Sequence, residues 1–181
     1  MKYIPLMSSF KLKILLVGAL GKEKTELLQK FTKNRFRYDY KLTIGVDIST
    51  KEVEFKPNET ATLSIWDIGI QKRFEFIRNT FYKGATGVIV IFSINRRQTL
   101  LEAAEWISEI RKFSGGKIQI ALIGIKTESN KEDKDLIENG EIQEFVKSEN
   151  IGYVKTAIKT GINIEEAFTE LTNLIIATRV I

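Results

Sequence analysis

The sequence predicts one α/β domain built on a mostly parallel sheet with helices on both faces. Three observations predict it. First, several apolar runs are continuous rather than alternating: Ile14 to Val17, Gly87 to Phe92 and Ile118 to Ile123. Such runs suit strands buried on both faces, as parallel strands are. Second, amphipathic helical stretches lie between them, the alternation that builds a parallel sheet. Third, 181 residues suit one domain with one good core.

Met1 to Phe10 is broken by Pro5, Ser8 and Ser9, too short in its apolar part for a secretory signal. It is expected as a loose leader (1–10), with the domain over 11–181. Lys11 to Val17 is a buried strand. Lys24 to Asn34 is a helix with Leu27, Leu28 and Phe31 on one face. Arg35 to Leu42 lacks periodicity and is a loop. Val46 to Phe55 and Thr62 to Trp66 form a hairpin turned by Pro57, Asn58 and Glu59. Gly69 to Thr80 is irregular to helical. After the Gly87 strand, Gln98 to Phe113 is a helix whose buried stripe is Leu101, Ala104, Ile107 and Ile110, ended by Gly115 and Gly116. The Ile118 strand follows. Asp133 to Glu149 is helix-like with an interruption near Gly140. Tyr153 and Val154 form a short strand, and Ile164 to Ala177 a last helix.

Composition narrows the chemistry. The chain has no cysteine and no histidine. Disulfides, zinc-thiolate sites and histidine-based nucleophilic catalysis are excluded. Its net charge of +5 is spread along the chain and reads as a solvated surface, so no nucleic-acid partner is expected. The apolar runs are too short to cross a bilayer, and the expected location is the cytoplasm.

In open α/β sheets, ligands sit at the carboxyl ends of the strands. The loops after Val17, Trp66, Ile123 and Val154 should therefore converge. The first is Gly18-Ala19-Leu20-Gly21-Lys22-Glu23-Lys24-Thr25. It follows the phosphate-loop pattern G-x-x-x-x-G-K-[ST] except at Glu23. In that pattern backbone N–H groups wrap phosphates, the lysine reaches the outer phosphates and the hydroxyl binds Mg²⁺. Asp67 after Trp66 is placed to hold Mg²⁺, usually through water. Ile125-Lys126-Thr127-Glu128 and Thr156-Ala157-Ile158-Lys159-Thr160-Gly161 end the later strands. Singly, each has a plainer reading: Thr43 as a strand-start hydroxyl, Asp67 as a helix cap, Phe36 as core, Lys126 and Lys159 as surface charges.

Taken in order, these stretches resemble a small GTPase of the Ras superfamily, closest to the Rab branch, from about Lys11 onward. Thr43-Ile44-Gly45-Val46-Asp47 is similar to the first switch. Trp66-Asp67 followed by Gln71-Lys72-Arg73-Phe74 is similar to the second. Phe81-Tyr82-Lys83-Gly84-Ala85 and Thr160-Gly161 to Phe168 are also typical. The resemblance implies the phosphate-loop NTPase fold of a small G-domain, with a six-stranded sheet. It implies GTP or GDP and Mg²⁺ as ligands, with Gly18, Gly21, Lys22, Glu23, Lys24 and Thr25 around the phosphates. Lys24 would contact the β- and γ-phosphates, and Thr25 and Thr43 would ligate Mg²⁺ with Asp67 behind it. Tyr40 would lie over the phosphates and Phe36 against the base. Gln71 would orient the attacking water, the protein supplying positioning and electrostatics. Lys126, Glu128, Ala157, Ile158 and Lys159 would form the base side, with the Ile158 N–H toward a guanine oxygen. Implied partners are exchange factors, activating proteins and effectors at the switch regions, on a monomer.

Four departures touch that chemistry. Glu23 replaces a glycine, and a carboxylate ~6 Å from a phosphate charge costs roughly 3 kcal/mol at an effective dielectric of about 20. Lower nucleotide affinity is expected. Ile125 and Glu128 replace the base-reading asparagine and aspartate, which puts guanine choice in question. Ile70 stands where the second switch has its glycine, with Gly69 one residue early as a substitute. Leu20 is expected to crowd Gln71 and slow hydrolysis. The chain closes at Ala177-Thr178-Arg179-Val180-Ile181 and opens at Met1-Lys2, so no covalent lipid anchor is expected and membranes would be reached through protein partners. Two alternatives to a slow GTP/GDP switch stay open here. One is an interaction module that has lost the nucleotide cycle. The other is a nucleotide binder with relaxed base choice.

Overall fold

Strand β1 (Ser9–Gly18) lies inside a six-stranded sheet, and its side chains point alternately to two separate cores. Leu12, Ile14 and Leu16 enter one core; Leu15 and Val17 enter the other. That double burial is why the strand reads as a continuous apolar run. The computed structural model describes residues 9–32, 45–69, 75–115, 118–127 and 136–179.

The remaining elements are α1 (Gly21–Thr32), β2 (Val46–Lys56), β3 (Glu59–Ile68), α2 (Glu75–Tyr82), β4 (Gly87–Ser93), α3 (Arg97–Phe113), β5 (Gln119–Ile125), α4 (Asn139–Glu149), β6 (Gly152–Thr156) and α5 (Ile164–Arg179). The strand order is β2-β3-β1-β4-β5-β6. Only the β2–β3 hairpin is antiparallel; β3, β1, β4, β5 and β6 run parallel. Their carboxyl ends therefore share one edge of the sheet.

Helices α1 and α5 cover one face. Phe31 of α1 stacks on Phe168 of α5 with ring centroids 3.6 Å apart. Lys51 of β2 donates to the Phe31 carbonyl at 2.6 Å and to Glu165 at 2.5 Å. Helices α2, α3 and α4 cover the other face. There Glu109 of α3 accepts from Arg78 at 2.9 Å and from the Tyr82 hydroxyl at 2.6 Å, tying α2 to α3.

Three boundaries and one buried stripe differ from expectation. Ser9 and Phe10 belong to β1, and Phe10 packs edge-on against Phe55 at 5.7 Å; an aromatic partner on β2 draws the end of the expected leader into the sheet. The buried stripe of α3 is Leu100, Ala103, Trp106, Ile107 and Ile110, while Leu101 is exposed. One residue is about 100° of helix rotation, and burying the large Trp106 ring sets the phase. Helix α4 begins at Asn139, so Gly140 sits in its first turn, where a weak helix former costs little. Helix α1 begins at Gly21 rather than Lys24.

Candidate functional site

The start of α1 decides the site's geometry. Between β1 and α1 only Ala19 and Leu20 remain outside regular structure. The Lys24 N–H donates to the Leu20 carbonyl at 3.2 Å, so the first helical turn is already closed there. Lysine and glutamate propagate a helix better than glycine does, and Glu23 in the first turn suits the positive helix end. The glutamate at the glycine position thus lengthens the helix. Leu20 is 1% exposed and lies in the α1/α5 core with Leu27 and Phe31. A buried leucine side chain stabilises more than an exposed one, and Gln71, which Leu20 is expected to crowd, lies outside the described residues.

Lys24 and Asp67 form the centre. Their side chains are 1% and 2% exposed, with Nζ 2.7 Å from Oδ1. Lys24 also donates to the Ile68 carbonyl. Burial pushes the Lys24 ammonium below the usual lysine value, and the neighbouring carboxylate pulls it partly back up. Thr25 stands one residue on, its hydroxyl donating to the Gly21 carbonyl at 3.2 Å. The helix therefore brings Lys24 to the end of β3, against Asp67, with Thr25 the next residue of α1.

Glu23 turns sideways rather than over the helix end. Its Oε1 lies 3.1 Å from Arg96 Nη2, a residue just past β4. Lys22 pairs with Glu26 at 3.6 Å. Gly18, with φ +133, ends β1 against the Ile91 backbone. The Gly69 N–H donates to the Gly45 carbonyl at 2.8 Å, so in this conformation it is engaged at the hairpin end.

On the base side, Lys126 is exposed, and Ile158 packs partly buried on the α1/α5 core. Ala157 is held in a turn, its carbonyl accepting from Gly161 at 2.8 Å. Lys159 offers its carbonyl to Lys30 of α1 at 2.5 Å. Phe36, Tyr40, Thr43, Ile70, Gln71 and Glu128 lie outside the described residues. Sequence reasoning did not single out Arg96 or Asn95. Their signal is position: both follow β4 at the edge where β1, β3 and β5 also end.

Compared with protein families, residues 13–177 match the Ras family. The chain belongs to the Ras family. Among its relatives, Ras-related protein RABA1h of Arabidopsis thaliana is 31% identical over 159 residues, spanning 88% of this chain and 72% of that protein. Ras-related protein Rab11D of Lotus japonicus is 33% identical over the same shares. The GTP-binding protein ypt3 of Schizosaccharomyces pombe is 31% identical, spanning 90% and 75%. The chain is thus a Rab-like small GTPase, of a family that binds and hydrolyses GTP and works with regulators and effectors. No comparison favours the interaction-module alternative. No helix among the described residues is long and apolar enough to cross a membrane.

The residues present fit a magnesium nucleotide in their donor chemistry. The Lys24 ammonium and the Asp67 carboxylate meet near the start of α1, which also carries the Thr25 hydroxyl and whose first N–H groups have no intrahelical acceptors. The Glu23–Arg96 pair bears on affinity, because Arg96 offsets the charge that would repel phosphate. Arg96→Ala should weaken labelled-GDP binding about threefold to tenfold, and do so little in a Glu23→Gly background, where binding is tighter from the start. Equal effects of Arg96→Ala in both backgrounds, read by fluorescence titration, would show that the two residues act separately.

Proposed function

We propose that this Rab-like protein is a slow guanine-nucleotide switch whose resting site is held shut by the Lys24–Asp67 pair. That pair is the observation that carries the reading. Two charges taken out of water gain no more from each other than well-packed apolar residues would supply. Their presence at the sheet's carboxyl edge, beside Thr25, is explained by a ligand that takes each of them separately.

In this reading Lys24 leaves Asp67 for the β- and γ-phosphates, and the α1 N-terminus with Gly18, Gly21, Lys22 and Glu23 borders them. Thr25, Thr43 and Asp67 would hold Mg²⁺, which when bound would neutralise charge developing on the phosphates. Tyr40 and Phe36 cover the phosphates and base. Lys126, Glu128, Ala157, Ile158 and Lys159 form the base side. Gln71 orients water, and Gly69 must give up Gly45 before its N–H can serve a γ-phosphate, which supports slow hydrolysis. The protein acts as a monomer in the cytoplasm and visits membranes through protein partners. Regulators and effectors meet it at the switch regions. Ile48, 50% exposed and paired across the hairpin with Trp66, supports such a docking face, with Phe81 at 6.2 Å from Trp66.

Titration of nucleotide-free protein with labelled GDP and GTP, with and without Mg²⁺, tests this. The expected result is Mg²⁺-dependent binding that ATP displaces poorly. Absence of binding at high micromolar nucleotide contradicts the switch, and equal competition by ATP contradicts guanine selectivity.

A further inference from the structure

Where β5 ends, the strand itself offers no polar side chain. Ile125 is buried and apolar. Its register partner on β6 is Thr156, whose buried hydroxyl has no hydrogen-bond partner among the described residues. The orphaned hydroxyl shows that β5 does not brace this corner through side-chain polarity.

The segment after β4 does so. Asn95, 5% exposed, follows β4. Its Nδ2 donates to the Thr127 carbonyl at 2.9 Å, and its Oδ1 accepts from the Thr127 N–H at 3.1 Å. A side-chain amide thus grips both main-chain polar groups of one residue, as a neighbouring strand would. The Ser93 and Thr127 hydroxyls also donate to the Asn95 Oδ1, at 2.6 and 2.8 Å, and lie 2.9 Å from each other. Ser93 is itself fixed by its N–H to the Thr99 hydroxyl at 2.8 Å. All four side chains are buried, where hydrogen bonds are strong and their loss is felt.

We infer that Asn95 is the positioning residue for base recognition: it holds the Thr127 peptide and thereby sets the path of the chain leaving β5 through Lys126 and Thr127. The inference rests on the nucleotide-switch reading. It places the brace just after β4, in the part of the chain between the second switch and the base side. A nucleotide base is held by groups whose placement matters to within about an ångström, and misplacement from a remote change costs about 10–100-fold.

The test uses wild type, Asn95→Ala, Asn95→Asp and the double variant Asn95→Ala/Ile125→Asn. Amide hydrogen exchange at Thr127 in nucleotide-free protein should show protection in wild type, partial protection in Asn95→Asp and loss in Asn95→Ala. GDP affinity of Asn95→Ala should fall about 10–100-fold while affinity for inorganic tripolyphosphate holds, so the loss is on the base side. Asparagine at 125, within reach of the Thr156 hydroxyl, should recover part of the GDP affinity. Unchanged Thr127 protection in Asn95→Ala overturns the brace. GDP and tripolyphosphate affinities falling in parallel overturn the base role, since general loosening does that. Wild type that binds tripolyphosphate but no GDP refutes the nucleotide-switch reading instead, and the exchange result still judges the brace.

Discussion

Lys24→Ala should destabilise the nucleotide-free protein by about 3–5 kcal/mol and abolish measurable nucleotide binding. The stability loss comes from Asp67. With Lys24 gone, its carboxylate stays buried without the ammonium now at 2.7 Å, and the Ile68 carbonyl loses a donor. A surface lysine would show neither effect. The paired replacement Lys24→Met/Asp67→Leu separates the two roles. It removes both charges at similar volume, and buried pairs exchanged this way are neutral or stabilising by about 1–4 kcal/mol. Urea denaturation should find that double variant at least as stable as wild type, and GDP titration should find it unable to bind. A double variant as unstable as Lys24→Ala would mean that the pair is structural, and retained binding would remove Lys24 from the site.

Gly18→Ala should be damaging for a different reason. A Cβ added at Gly18 would lie 2.2 Å from the Ile91 carbonyl oxygen, and φ is +133. The atom it meets is backbone of the adjacent strand, which cannot rotate away as a flexible side chain can. Left-handed strain and overpacking together should cost about 2–6 kcal/mol. The glycine is needed first for the approach of β1 to β4, before any phosphate is considered. Thermal unfolding checks this; a wild-type melting temperature for Gly18→Ala would show that the strands part more easily than this packing implies.

The comparison between sequence and structure turns on particular residues. Strands β1, β4 and β5 were legible because each carries a run that is apolar on both faces: Leu15 and Leu16 go to opposite cores, so nothing polar interrupts the run. The β2–β3 hairpin was legible from its turn, where Asn58 takes φ 62 beside Pro57. The start of α1 was not, because a phosphate-loop frame fixes attention on the glycine that Glu23 replaces. Helix propensity then acts on the residues actually present and winds the chain back to Gly21. The same bias hid the burial of Leu20, a loop residue whose side chain is core. Arg96 and Asn95 were invisible for another reason. Their partners, Glu23 and Thr127, lie 73 and 32 residues away, and no local pattern announces such pairs. Of the site, Lys24, Thr25 and Asp67 stood out by spacing and strand position; the structure brings Lys24 and Asp67 together, with Thr25 the next residue of α1. The roles given to Phe36, Tyr40, Thr43, Gln71 and Glu128 concern residues outside those described.

The most direct measurement is a crystal structure of this protein with Mg²⁺ and a non-hydrolysable GTP analogue. It should show the Lys24 ammonium on the β- and γ-phosphates, Asp67 turned to the metal's water, and the 2.7 Å contact between them broken. A bound nucleotide with Lys24 and Asp67 still paired, or an analogue seated away from the carboxyl ends of β1 and β3, would contradict the account.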